Sequence, residues 1–379
     1  MALPIATVAQ NQIGQTIIGD NDKDRTGQST ALSNNGEILA IGASSADGAG
    51  TDAGMVRVYQ NVNGTWTQMG GDIDGLAAGD AFGTTCSLSG DGSLLAVATP
   101  LSDVGGNNTG QVRVFEYSNN TWTQKGSTLN GAAANDAFGT DVALSDDGTH
   151  MIVGAPYNDG SANNAGAASV YTFSNGDWVL VGSDIPGKGG NNNNGESVAI
   201  SADGSRVAIG APANGEAGSF AGLARVFEYT NGSWNQLGAD IFGQNGGDWA
   251  GESVELSDDG SVVMIAGRSA ASGAGQIRLF ELSAGSWIQK GSDLNGEAAG
   301  DFSGWSTSLS ADGNIVSIGA TANDGNGNSA GHVRVFSYFV SDWIQVGSDF
   351  DGDQASDACG SATSLSADGK TLAIGIYRY

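Results

Sequence analysis

Two short acidic runs carry the residue types that a cation needs. Asp349, Asp351, Asp353 and Asp357 occupy positions 1, 3, 5 and 9 of one run, and Asp293, Asn295, Glu297 and Asp301 repeat that spacing 56 residues earlier. Alternate residues of a tight loop can turn their oxygens towards one centre, and calcium takes six to eight oxygens, many from carboxylates. Calcium is the cofactor these runs predict. Glycine falls at position 4, as Gly352 and Gly296, whereas the usual calcium loop needs it at position 6. The competing reading is a polar connection, in which Asp80, Asp136, Asp248, Asp301 and Asp357 only fix the loop to the next unit.

Aromatic rings in or beside the loops offer a second chemistry. Trp249, Trp305, Phe220, Tyr157 and Phe242 break a pattern that the rest of the chain keeps. Aromatics on an acidic, glycine-rich surface form platforms for a glycan or a protein ligand. Trp66, Trp122, Trp178, Trp234, Trp287 and Trp343 instead recur at one position, which predicts packing. Arg57, Arg113, Arg225, Arg278 and Arg334 also share one register between apolar neighbours. A guanidinium there must be paired, and the aspartates before each first strand are the expected partners. Catalysis has no such pattern. His150 and His332 are the only histidines and lie far apart, without a serine elbow or a metal-ligand spacing.

These residues are positioned by a repeat. The phrase Ser-Ala-Asp-Gly and a short apolar run stand at Leu309–Gly319, and related phrases begin at Leu32, Leu88, Leu144, Ile200, Leu256 and Leu365. The turn glycines, from Gly36 to Gly369, are 56 residues apart except for one interval of 53. In the unit beginning at Phe82, Phe82–Ser89 alternates as a strand, Gly90-Asp91-Gly92 is a hairpin turn, and Leu94–Ala98 is a buried strand. Gln111–Tyr117 alternates again, and Thr121–Gly126 is a fourth strand. Four-stranded meanders repeated seven times without helices predict a seven-bladed β-propeller forming one domain over residues 1–379. Gln10–Gly27 aligns without a gap to Trp66–Gly83, so the N-terminal residues 1–27 are expected to complete the last blade with 357–379. Leu3–Val8 is a candidate for that blade's missing strand. The aspartates of the turns, Asp91 through Asp368, read as residues capping their own backbone.

Charge narrows the partners. With 41 acidic against 14 basic residues, the formal net charge is −27. Nucleic acid and anionic membrane both require a basic footprint, so neither is an expected partner. No run of 18 apolar residues suggests membrane insertion. Cys86 and Cys359 occupy non-adjacent repeats and predict no disulfide. Sequons stand at Asn63, Asn107, Asn119 and Asn231.

Phe138-Gly139 before a first strand and Gly154-Ala155-Pro156 after the second complete the pattern. Together they resemble the FG-GAP repeat of integrin-α-type propellers, with degraded copies at Phe82-Gly83 and Gly210-Ala211-Pro212. The resemblance implies a non-enzymatic, calcium-binding adhesion or ligand-binding propeller, extracellular or at a cell surface. It departs from the integrin-like members in one respect, because their calcium loop between first and second strands is here a short hairpin. The expectation is therefore a monomeric binding module with a protein or glycan ligand on its loop face. Alternatives are a glycan-binding lectin and a carbohydrate-active enzyme using acidic residues near the central channel.

Overall fold

The Ser-x-Asp-Gly turn folds as its side chains dictate. In the second unit Ser89 Oγ donates to Asp91 Oδ1 at 2.8 Å and accepts from the Leu94 amide at 3.0 Å, while the Ser93 amide donates to Asp91 Oδ1 at 2.8 Å. A short polar side chain thus satisfies the backbone of a two-strand turn, as the composition predicts. Equivalent bonds hold Asp147, Asp203, Asp259, Asp312 and Asp368.

The structure is a computed structural model and describes residues 10–21 and 23–377. In blade 2 the strands are Thr85–Leu88, Leu94–Thr99, Gln111–Ser118, Thr121–Gln124 and Leu129–Asn130. The last two both pair antiparallel with Gln111–Ser118, so the outer edge is one strand broken by a turn at Lys125–Thr128. Six such five-stranded sheets are present among the described residues, together with a two-stranded sheet, Ala362–Leu365 and Leu372–Gly375. This corrects the expectation of seven four-stranded blades. Six blades are built, each with a broken outer strand, and the two-stranded sheet packs between the first strands of blades 6 and 1, Ser303–Leu309 and Thr26–Leu32. Leu3–Val8 lies outside the described residues. Residues 10–21 carry no ladder but lie along blades 6 and 1, where Gln10 Nε2 reaches Val346 O at 3.4 Å and Ile13 O accepts from Trp66 Nε1 at 2.9 Å.

At the hairpin end the turns close on one another through main-chain bonds of 2.8–3.1 Å. The amides of Asn34, Gly90, Asp146, Ala202, Asp258, Ala311 and Ala367 each donate to the carbonyl of the next, and Ala367 donates back to Asn34. The inner edges are satisfied in the same circular fashion. Leu144, Val254, Leu365 and Leu32 donate their amides to Ser87, Ser197, Ser308 and Ser364 Oγ at 2.9–3.1 Å. Edge groups that would otherwise pair with another chain are thereby consumed.

The core lies between blades. Val56, Val58 and Ile73 of blade 1 pack with Cys86, Leu88, Leu95 and Val97 of blade 2, and four further clusters repeat this at the following junctions up to blade 6. Both faces of each second strand are covered, so these strands are apolar throughout rather than alternating. Cys86 and Cys359 are buried and unbridged. The interval of 53 residues is explained in blade 5, where Gly267 pairs with Gln276, whereas in blade 4 the equivalent Ala211 pairs with Leu223 across a longer connection.

Candidate functional site

Residues that recur in every blade are occupied by the scaffold. Trp122 Nε1 donates to Met69 O at 2.9 Å, and Trp178, Trp234, Trp287 and Trp343 make the same bond to Lys125, Val181, Leu237 and Lys290 at 2.8–3.0 Å. Four arginines depart from the expected pairing. Arg113, Arg225, Arg278 and Arg334 donate through Nη2 to main-chain carbonyls of the preceding blade's short outer strand, those of Asp74, Pro186, Phe242 and Asn295, at 2.5–2.9 Å. The aspartates expected to hold them are consumed locally. Asp136 Oδ2 accepts from the Ala133 amide at 3.1 Å and Asn158 Nδ2 at 3.0 Å, and Asp301 Oδ2 is held likewise by Ala298 and Asn323. Arg57 alone is clasped by two carboxylates, Asp20 and Asp72.

The two acidic runs are each pulled apart along a loop. Asp349 Oδ1 accepts from Gln345 Nε2 at 2.6 Å, and its other oxygen faces His332 Nδ1 at 3.5 Å. Asp351 lies opposite His332 in the short outer strand, Asp353 is exposed, and buried Asp357 accepts from the Gln354 amide at 3.0 Å. In the earlier run Asp293 accepts from Gln289 at 2.7 Å, Asn295 Oδ1 accepts from Gln276 at 3.2 Å, and Glu297 Oε1 lies 3.6 Å from Arg334 Nη1. Asp301 caps its own turn. Among the described residues one trio brings potential ligand atoms together: Glu297, His332 and Asp349. It takes one residue from each run and adds a histidine.

The five exceptional aromatics divide. Phe220 and Trp249 stack face to face, with ring centroids 4.8 Å apart and planes 1° from parallel. Both backbones are left-handed, with φ of 55°, and the Trp249 amide donates to Phe220 O at 2.9 Å. The same rung joins Asn108 to Ala137, Asn164 to Asn193, Gly273 to Phe302 and Ser329 to Ala358 in other blades. Large side chains rarely take that conformation, at a cost of about 1–3 kcal/mol each. Trp305 carries the Arg268 guanidinium over its ring at 4.3 Å. Tyr157 is only partly exposed, and its partial burial together with the charge of Glu196 raises its pKa above the usual phenol value. Phe242 lines a separate cavity of about 240 Å³ with Asp240, Arg278 and Trp287.

A set of carboxyls around the axis adds to these. Asp141 accepts from the Val142 and Val198 amides at 2.9 and 2.8 Å, yet burial pushes its carboxyl up to about 6. Glu255 is pushed up to about 8, by burial first and by the charge of Asp141 second. These two belong to blades 3 and 5, and the first strand of blade 4 stands between them. The charge of Asp141 reaches Glu255 past that strand. Glu252 is bound by Arg268, whose Nε lies 3.2 Å from one oxygen and whose amide donates to the other at 3.0 Å. Glu196 is raised by burial and opposed by the charge of Arg268, and its Oε2 has no hydrogen-bond partner. Two of these carboxyls, Glu196 and Glu252, therefore share one guanidinium, an arrangement suited to holding a proton or to meeting hydroxyl and cationic groups of a ligand.

A sequence profile of the FG-GAP repeat matches residues 122–171, from the outer strand of blade 2 to the third strand of blade 3. The described residues form a β-propeller, and this stretch of it is an FG-GAP repeat. Solved structures with the same fold include hydrazine synthase of Kuenenia stuttgartiensis, at 13% identity and TM-score 0.59, covering 97% of this chain and 98% of that one. A Bacteroides uniformis protein provisionally assigned as a 6-phosphogluconolactonase is similar at 12% identity and TM-score 0.59, over 86% of each chain. A search of curated proteins finds no significant match.

In this propeller Phe82 and Phe138 of the motif are buried, and Phe82 meets Phe115 edge to face at 6.2 Å. The motif also locates Trp305 beside residues that sequence reasoning missed, Glu196, Glu252 and Arg268. Glu196, Glu252 and Trp305 each follow the glycine of the Phe-Gly position, where Thr84 and Thr140 stand in other blades. Arg268 replaces the proline of Gly-Ala-Pro. The signal was departure from the repeat, which singled out the aromatics but applies equally to charged residues. Among the described residues no helix is long and apolar enough to cross a membrane.

Proposed function

We propose that this propeller is a non-enzymatic binding or adhesion module of the cell exterior, taking a glycan on the face formed by the loops opposite the hairpin turns. The Phe220–Trp249 pair supports this reading above all. Two large rings stack at strained positions where other repeats mostly use Asp, Asn, Ser or Ala, Phe302 being a further ring at the Trp249 position, and Phe220 remains 45% exposed. Strain kept at a surface, with a flat ring presented to water, is a feature of ligand sites rather than of packing. Sugar rings lay their C–H faces on such platforms while polar loops take their hydroxyls. The resemblance to integrin-type repeats supports the exterior location. Replacing both residues by those of blade 2, Phe220→Asn with Trp249→Ala, is expected to leave the fold intact and to remove the signals that the wild type gives on a glycan array. A double variant with unchanged signals would place the ligand elsewhere.

A second reading, a carbohydrate-active enzyme, is favoured by the Asp141–Glu255 pair. One carboxyl held protonated near neutrality beside a second is the arrangement for acid–base chemistry on a glycosidic bond. Glycan turnover by the wild type, abolished in Glu255→Gln, would establish this reading in place of the first.

A further inference from the structure

One structural position changes its chemistry from junction to junction. It consists of the residue after the glycine that follows the short outer strand, the first residue of the next blade's third strand, and the residue before that blade's own short strand. Between blades 3 and 4 these are Lys188, Leu223 and Asp240, and the lysine pairs with the aspartate. Between blades 4 and 5 they are Gln244, Gln276 and Asp293. Gln244 and Gln276 donate to Asp293 Oδ2 at 3.1 and 3.2 Å, and Gln276 also reaches Gln244 Oε1 at 3.4 Å, so the trio satisfies itself. Between blades 5 and 6 the same places hold Glu297, His332 and Asp349.

That third trio does not satisfy itself. One potential ligand atom from each of its residues lies within 4.8 Å of the other two. His332 is 1% exposed, its Nδ1 stands 3.5 Å from Asp349 Oδ2, and its Nε2 has no hydrogen-bond partner. A polar group left unpaired in the interior costs about 1–3 kcal/mol, whereas Gln at this place finds partners in the next junction. Two carboxylates face the imidazole, and the nearest positive charge, Arg334 Nη1, is 3.6 Å from Glu297.

We propose that Glu297, His332 and Asp349 form a binding site for a divalent transition-metal ion of the zinc class, with water completing the coordination. One imidazole nitrogen and two carboxylate oxygens are donors that zinc accepts, and three protein ligands plus water is a common zinc set. Calcium and magnesium take oxygen and have no use for a buried imidazole. Bonds of about 2.0–2.1 Å bring tetrahedral ligands within about 3.4 Å of one another. Closing the trio to that size asks for a movement of about 1 Å, and Glu297 is an exposed side chain on a connection. The site lies between blades and is independent of the aromatic pair.

The test titrates zinc chloride into the full chain, after treatment with EDTA, by calorimetry and by thermal melting, with calcium chloride as a separate arm. His332→Gln restores the residue that blade 5 carries, so it is expected to melt near the wild type in EDTA. Zinc is expected to raise the wild-type melting temperature and calcium to leave it unchanged. Zinc affinity should fall at least tenfold in His332→Gln and in the exposed variant Glu297→Gln. Cobalt(II) substituted for zinc should give the visible absorption of a low-symmetry, four-coordinate site in the wild type only. Zinc binding of equal strength in both variants, absence of zinc binding in the wild type, or displacement of zinc by equimolar calcium would each overturn the proposal.

Discussion

The indole N–H of Trp178 donates to the main-chain carbonyl of Lys125, 3.0 Å away in the preceding blade, and the next residue there is a glycine. The pairing is general. From Trp66 on Ile13-Gly14 to Trp343 on Lys290-Gly291, each tryptophan bonds the carbonyl immediately before a glycine of positive φ. A Cβ at Gly126 would sit 2.9 Å from Trp178 Cδ1, so glycine is needed twice over, for its φ of 75° and for the ring. This glycine also breaks the outer strand into two pieces. The broken edge and the tryptophan stitch are one device for joining blades.

Trp178→Phe removes only the donor and leaves Lys125 O without its partner, which should cost about 1–2 kcal/mol in urea unfolding. Gly126→Ala should cost at least as much through strain and ring displacement. If the ring pocket is the shared cause, the double variant falls short of the sum of the single effects. Strict additivity would mean that the two residues act separately.

Arg225 presents a second, sharper case. It donates to Pro186 O at 2.8 Å and to Asn194 Oδ1 at 2.7 Å, while Arg113 at the equivalent place lies 4.3 Å over the ring of Phe82. Asn194 thus stands where the motif has phenylalanine. Arg225→Met strands both acceptors, and a loss of about 2–3 kcal/mol is expected. Restoring the motif with Asn194→Phe should recover part of it, because an apolar pair then fills the space. A double variant no more stable than Arg225→Met alone would show that Asn194 is not the cause.

The repeat made most of the fold legible. Glycine spacing, apolar runs and Ser-x-Asp-Gly turns are local signals, and each produced the strand or hairpin it implied. The fifth strand escaped because Leu129–Asn130 and its counterparts are two residues long and carry no periodicity. The arginine partners escaped for a different reason. Main-chain carbonyls have no sequence signature, so the nearest aspartates attracted the pairing although their oxygens were already taken. His332 was set aside for standing far from His150, yet its neighbours Asp349 and Glu297 lay within the two acidic runs. Contacts between blades link residues about 50 apart, and only the closed ring reveals which of those meet.

The axial carboxyls make the acidity of this protein a stability question. Asp141 and Glu255, ordinarily near 3.8 and 4.5, are raised to about 6 and about 8 in the fold, and Asp258 rises to about 6 through burial and the charge of Asp146. A carboxyl raised on folding binds its proton more tightly in the native state, so its stabilisation is complete below the unfolded value. That stabilisation disappears as pH climbs through 6 for the aspartates and 8 for Glu255. Asp368 works in the opposite sense, held at about 2 by Lys370 and Ser366, and its contribution is lost only as pH falls below the unfolded value and through the folded one. Stability should therefore peak on the acidic side of neutrality, between about pH 4 and 6. Thermal melts should show a higher midpoint at about pH 5.5 than at about pH 8.5. Glu255→Gln, which stays neutral throughout, should raise the midpoint at the higher pH and barely change it at the lower. Equal destabilisation by Glu255→Gln at both values would mean that the Glu255 side chain is needed for its hydrogen-bonding shape and not for its proton.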